Sequence, residues 1–275
     1  MGNKKKKAIR YNTVINVDSV DNSHSQMIRM ITSGSKVLDV GCASGVLGEY
    51  LARELQCDVV GLDYDAQNIE IARSRNCYSD LFEVDLNALA PDFLAGFEFD
   101  YIVFGDVLEH LLSPDTLLGT LKASLNSNGK FIVSLPNISH GSIKLNLLKN
   151  RFDYTPEGLL DRTHLRFYTL KSIQQLCGNC GLNIDKFNRV FAPIYGMEQK
   201  VDVGAYSAAT LELVESDTES WVYQYVFSAS SGASESGQAQ NFAVFEPSDD
   251  ELDRVEQFRR SKYKSKKSKK WWKIL

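Results

Sequence analysis

Two short segments of this chain concentrate side chains that can move protons or hold a metal. Gly105-Asp106-Val107-Leu108-Glu109-His110 sets two carboxylates and an imidazole close together, and the stretch from Gly158 to Thr169 adds Asp161, Arg162, His164 and Arg166. An imidazole titrates near neutrality, so His164 is the first candidate for a general base that would take a proton from a hydroxyl acceptor. On a helix Asp106, Glu109 and His110 would stand at i, i+3 and i+4 on one face, and His164 would complete a mixed oxygen and nitrogen set for a cation. The plainer reading leaves His164 fixing its own segment by hydrogen bonds. Arg162 and Arg166 carry guanidinium forks that fit phosphate, or that pair with Asp161 and Glu157.

Elements that could position these groups begin with Lys36-Val-Leu-Asp39-Val-Gly41-Cys42-Ala43-Ser-Gly45-Val-Leu-Gly48, which reads as strand, tight turn and helix start. Glycine at 41 and 45 gives torsional freedom and clearance, and a helix opening near Val46 offers free N–H groups. Counting from Gly41 puts Ala43 and Val46 where a dinucleotide fingerprint wants glycine, and no Gly-Lys-Ser/Thr follows, so neither that fingerprint nor a triphosphate loop is present. Three further apolar runs end at Asp63, followed by Tyr64, at Asp85, followed by Leu86, and at Gly105-Asp106. Parallel strands would therefore carry Asp39, Asp63, Asp85 and Asp106 along one sheet edge, lining a crevice suited to a cationic ligand with a ribose and an adenine.

Through VLDVGCASG, VVGLDYD, FEVDL and FDYIVFGDVLEHL, in order, the chain resembles the class I S-adenosylmethionine-dependent methyltransferases over roughly residues 24–230. That resemblance implies a Rossmann-like α/β fold: a seven-stranded, mostly parallel sheet with an antiparallel last strand and helices on both faces. It places the methionine part of S-adenosylmethionine on Gly41 to Gly45, the ribose on Asp63 and the adenine on Asp85 with Leu86; Ala43 stands where the family has its central loop glycine. The Gly158–Thr169 segment is similar to one in bacterial methyltransferases of cell-surface glycan synthesis and in relatives of the methionine-biosynthesis W type. The main expectation is O-methylation of a sugar or glycan precursor; the alternatives are a quinol-like small-molecule acceptor and a non-catalytic cofactor-binding interaction protein. Asp106, Glu109, His110 and His164 also resemble the magnesium site of RNA terminal 2′-O-methyltransferases, so magnesium joins the expected cofactors.

The 275 residues, 43% of them hydrophobic, suffice for one substantial core, and no long apolar stretch or leader-like h-region stands out. The chain is expected in the cytoplasm, with one methyltransferase domain over 23–230, a substrate insert near 136–169, a basic arm at 1–22, and a linker, short helix and tail over 231–275. Five cysteines, an odd number, fit a reducing compartment, and Cys177-Gly-Asn-Cys180 reads as packing at a helix end. The net charge of −4 hides an asymmetry: residues 1–10 and 259–275 hold five and nine Lys or Arg and no acid. The second of these, with Trp271 and Trp272, suits an anionic membrane surface, with nucleic acid a weaker candidate and a solvated tail the bland one.

The remaining pattern predicts helices over 23–32, 117–125, 170–180 and about 249–260, a turn at Asn128-Gly129, and strands over 130–135, 183–191 and 221–229.

Overall fold

Val37, Leu38 and Val40 are buried, as are Val59, Val60 and Leu62, which is the pattern of strands covered on both faces and explains why these runs lack polar alternation. The computed structural model describes Ile15, residues 17–231 and residues 245–261. Its strands are β1 (Lys36–Val40), β2 (Asp58–Asp63), β3 (Asp80–Glu83), β4 (Phe99–Gly105), β5 (Leu125–Pro136), β6 (Leu182–Phe191) and β7 (Val222–Ser231). They form a single sheet of order β3-β2-β1-β4-β5-β7-β6. Strands β1 to β5 pair in parallel, while β7 runs antiparallel to both β5 and β6. The expected fold class is therefore the observed one.

The helices are α1 (Ser23–Ile28), α2 (Val46–Glu54), α3 (Ala66–Ser74), α4 (Pro114–Lys122), α5 (Gly141–Leu147), α6 (Leu170–Asn179), α7 (Ala208–Ser216) and α8 (Asp249–Ser261). Met27 and Ile28 of α1 and Leu47 and Leu51 of α2 share one buried cluster with Val37, Val59 and Val103; Leu117, Leu118 and Leu121 of α4 and Ile173 of α6 share the other with Leu38, Val60 and Phe104. Neighbouring residues of one strand thus feed opposite layers, as the pleat requires.

Several boundaries differ from the sequence reading. Helix α1 stops at Ile28, although Ile31 is still buried. Strand β3 ends at Glu83, and Asp85 instead caps a 3-10 turn, Leu86–Ala88, by accepting from the Asn87 amide at 2.9 Å. The turn expected at Asn128-Gly129 sits inside β5 instead, where pairing with β4 skips from Leu125 to Lys130. There a β-carbon on Gly129 would stand 2.9 Å from the Phe99 carbonyl.

Helix α8 packs on the sheet layer. Val255 joins the larger cluster, Phe258 stacks on Trp221 at 6.1 Å, and Arg254 pairs with Asp21 at 2.8 Å. Buried Arg189 of β6 bonds Glu219 at 2.8 Å, Glu251 at 3.4 Å and the Phe245 carbonyl at 2.6 Å. The first fourteen residues, the stretch 232–244 and the Trp271-Trp272 tail lie outside the described residues.

Candidate active site

Strand order reverses between β1 and β4, and the loops leaving those two strands flank a crevice at their carboxyl ends. The first loop holds three consecutive odd positions in left-handed backbone, Gly41 (φ 70°), Ala43 (φ 46°) and Gly45 (φ 78°), the last capping α2. A β-carbon on Gly41 would come within 2.6 Å of Val107, so glycine is what lets the two loops approach. Cys42 is buried below this loop, and burial pushes its thiol well above the usual range.

Asp63 ends β2 and ties this loop to its own: it accepts from the Ala43 amide at 2.8 Å and the Asp65 amide at 2.8 Å, each on a different oxygen. Each oxygen keeps a further lone pair for a ribose hydroxyl. Tyr64 beside it is 74% exposed, and Asp85 and Leu86 lie next along the edge, exposed and half-buried. Asp39 differs from these acids. It is buried and accepts from the Tyr78 hydroxyl at 2.8 Å; burial, offset by that bond and assisted by the nearby Asp63 charge, raises its pKa to about 6. Tyr78, which the sequence reading passed over, fits against Gly45, Gly48 and Gly61, where added β-carbons would meet its ring or hydroxyl at 3.0, 2.0 and 2.9 Å.

After β4 the chain does not enter a long helix. Asp106 is left-handed (φ 56°), Val107 leaves helical geometry at ψ −43° with φ −121°, and only Leu108–His110 close a 3-10 turn. The expected face of Asp106, Glu109 and His110 is thus broken. Asp106 turns to Ser134 (2.8 Å) and Gln224 (2.9 Å) of β5 and β7. Glu109, His110 and His164 do come together, each offering one ligand atom within 4.8 Å of the others. The insert is pinned there because the Glu109 carbonyl accepts from the amides of Leu165 (2.8 Å) and Arg166 (2.9 Å).

Hydrogen bonding sets the protonation pattern of the two imidazoles. Nδ1 of His164 faces the Leu159 carbonyl at 3.3 Å and Nδ1 of His110 faces the Thr163 carbonyl at 3.3 Å. A carbonyl only accepts, so in each neutral ring Nδ1 carries the proton and Nε2 the lone pair. The Thr163 hydroxyl donates to Asp161 at 2.7 Å and is thereby free to accept from His110 at 3.1 Å. Glu109 is fully buried and neither carboxyl oxygen has a partner, so burial, with Asp106 and Asp161 adding to it, holds its pKa well above the usual range. Burial and the neighbouring His110 push the His164 pKa down. Arg162 is exposed and Arg166 donates to the Leu112 carbonyl. His140 is a structural contrast: wholly buried at the start of α5, it bonds Ser142 at 2.8 Å, and burial takes it down to about 4.

From this centre a run of rings reaches the surface. His110 meets His164 at 4.8 Å, His164 meets Phe167 at 6.3 Å, Phe167 meets Phe152 at 5.5 Å and Phe152 meets Tyr154 at 5.4 Å. Tyr154 is 53% exposed.

A seven-stranded sheet in this order, a glycine loop after β1 and an acid closing β2 define a Rossmann-like methyltransferase fold. The chain belongs to the methyltransferase domain family, whose model matches residues 21–186. It is similar to the ubiquinone biosynthesis O-methyltransferase of Cereibacter sphaeroides, 31% identical over 165 residues, which is 58% of this chain and 66% of that protein. The same-named protein of Dinoroseobacter shibae is 31% identical over 166 residues, 58% of this chain and 65% of that one. The chain thus spans just under two-thirds of the length of these relatives. Among solved structures, magnesium protoporphyrin IX methyltransferase of Synechocystis with bound SAH superposes with a TM-score of 0.52 at 17% identity, covering 78% of this chain and 83% of that one.

Proposed function

We propose that this chain transfers a methyl group from S-adenosylmethionine to a hydroxyl of a small aromatic acceptor of the quinol kind. The run of rings from exposed Tyr154 to His164 carries this reading, because a continuous aromatic surface beside the cluster would receive a planar ring edge-to-face. The quinone-pathway names of the curated relatives support the same alternative over the glycan precursor. When bound, S-adenosylmethionine supplies an electrophilic methyl group on a sulfonium. The chain's own residues fit that cofactor: the left-handed Gly41–Gly45 loop gives close backbone approach, and Asp63 keeps lone pairs for the ribose.

Glu109, His110 and His164 then anchor the acceptor hydroxyl. The two Nε2 lone pairs accept from donors, and Glu109, held neutral by burial, has a carboxyl group to share. The same set also fits a divalent cation, whose charge would let Glu109 ionise; two imidazoles favour a first-row transition ion over magnesium, which prefers oxygen.

The test is methyl transfer to an alkylated catechol against a nucleotide-sugar, with and without chelator. Turnover of the catechol alone is expected; turnover of the nucleotide-sugar alone overturns the reading. Activity lost in EDTA and restored by Mn²⁺ supports the cation, and full activity in EDTA removes it.

A further inference from the structure

The peptide joining Gly158 to Leu159 is pinned on both sides. Its carbonyl accepts from the Asp161 amide at 3.0 Å, closing a turn over residues 158–161, and its N–H donates to Oε1 of Glu198 at 3.1 Å. Glu198 lies in the loop that leads from β6 to α7. The same oxygen accepts from the Tyr223 hydroxyl of β7 at 2.9 Å. Burial and the nearby Glu198 charge hold that hydroxyl well above its usual pKa, so it stays protonated and donates. Gly158 makes the approach possible: its backbone is left-handed (φ 90°), and a β-carbon there would stand 2.5 Å from Oε1. Beneath the turn, buried Leu159 and Leu160 form a small cluster with Ile143, against which Phe167 and Tyr223 pack.

This turn supplies what both imidazoles of the anchoring cluster meet through Nδ1. His164 faces the Leu159 carbonyl, one peptide beyond the pinned one. His110 faces Thr163, whose amide and hydroxyl both donate to Asp161, the residue that closes the turn. The next residue of the Glu198 loop, Gln199, is buried and donates to the Asp153 carbonyl at 3.3 Å, between Phe152 and Tyr154 of the ring run. We propose that Glu198 and Gln199 are positioning residues for the acceptor. Glu198 keeps the Nε2 lone pairs of His110 and His164 available to the cluster, and Gln199 keeps the rings in place beside it. This rests on the methyl-transfer reading above, and both residues act through others.

The reason lies in how an imidazole chooses its tautomer. The hydrogen bond made by one ring nitrogen decides whether the other offers a lone pair or a proton. A turn released from Glu198 lets the Leu159 carbonyl leave His164, and a proton that moves to Nε2 puts a donor where the acceptor hydroxyl needs a partner that accepts. Glu198 suits the task because a single oxygen takes one donor from the insert and one from β7. The turn is thereby referred to the strand whose next residue, Gln224, fixes Asp106. A glutamine at 198 has an amide oxygen able to accept the same two bonds, and an alanine has none. Gln199 makes one neutral bond to the ring-bearing stretch, so its loss weakens the acceptor's ground and transition states alike.

Three variants of the full chain, Glu198→Ala, Glu198→Gln and Gln199→Ala, are compared with the parent in three measurements. These are S-adenosylhomocysteine binding by calorimetry, turnover of an alkylated catechol, and the tautomer of His164 read by nitrogen NMR at neutral pH. Cofactor affinity should stay close to the parent's throughout. Glu198→Ala should lower kcat about 10-fold with KM little changed and shift His164 toward the Nε2–H tautomer. Glu198→Gln should keep most of the parent's kcat and its Nδ1–H ring. Gln199→Ala should raise KM about fivefold with kcat near the parent's. A Glu198→Ala chain with the parent's kcat or tautomer overturns the role of Glu198, as does a loss of turnover that tracks lost cofactor binding; an unmoved KM in Gln199→Ala overturns the role of Gln199. If Glu198→Ala folds poorly, Tyr223→Phe removes one hydroxyl and one of the two bonds to Oε1. It should move the tautomer in the same direction, and an unmoved ring refutes the clamp. The tautomer is read without any acceptor, so a parent that binds cofactor and a Glu198→Ala chain that shows the shift, with no catechol methylated by the parent, refute the quinol reading and leave the orienting role of Glu198 standing.

Discussion

Asp39 and Asp63 are neighbours in the sheet and opposites in behaviour. Asp63 is satisfied by two amides of the loops it joins, so Asp63→Ala should free the Ala43 loop and abolish S-adenosylhomocysteine binding in calorimetry while the chain stays folded. Asp39 carries its charge against burial, and its folded pKa of about 6 stands above the unfolded value. A carboxyl raised in this direction binds its proton more tightly when folded, so its contribution to stability is full below pH ~4 and is lost as pH rises to about 6. Asp39→Asn keeps an acceptor for Tyr78 and should flatten the dependence of urea stability on pH across that window; an unchanged slope would exclude Asp39 as its source. At this scale the sequence was legible at Asp63, which closes β2, since a strand end points at the crevice by topology alone; Asp85 lies two residues beyond the end of β3. It was silent on Tyr78, whose fit depends on three glycines spread from position 45 to position 61. It misplaced Asp106, because the left-handed turn that separates this residue from Glu109 has no glycine to announce it.

The elements themselves were readable for a related reason. Strands buried on both faces are continuous apolar runs, and four such runs beside the half-exposed edge strand β3, all in parallel order, admit few arrangements. Helix α8 was readable as a helix but not as part of the core, because most of its side chains are charged and its attachment runs through single residues. Arg189 is the centre of that attachment. Arg189→Met should leave Glu219 and Glu251 facing a half-buried gap and cost about 3 kcal/mol or more in urea unfolding. A change below about 0.5 kcal/mol would show that the paired carboxylates simply turn to water. Gly48 tests the neighbouring layer: Gly48→Ala should cost about 1–3 kcal/mol through its collision with Tyr78, and most of that cost should vanish when Tyr78 is first shortened to Leu.

For the molecule as a whole, the site draws on residues from position 39 to position 224, brought together by a sheet whose last strand in sequence is not its last in space. Strand β7 inserts between β5 and β6, and it carries Gln224, one of the two side chains that fix Asp106. During synthesis β5 therefore keeps a bare edge, and β6 has no neighbour to join, until the ribosome has delivered residues 222–231. Nascent chains stopped short of that point hold nearly the entire cofactor crevice in sequence yet present an unpaired edge, the feature that draws strands of different molecules together. Chains arrested before residue 222 should need chaperones to remain dispersed, whereas those extended past residue 231 should close the sheet in one late, non-local step that sets the pace of folding.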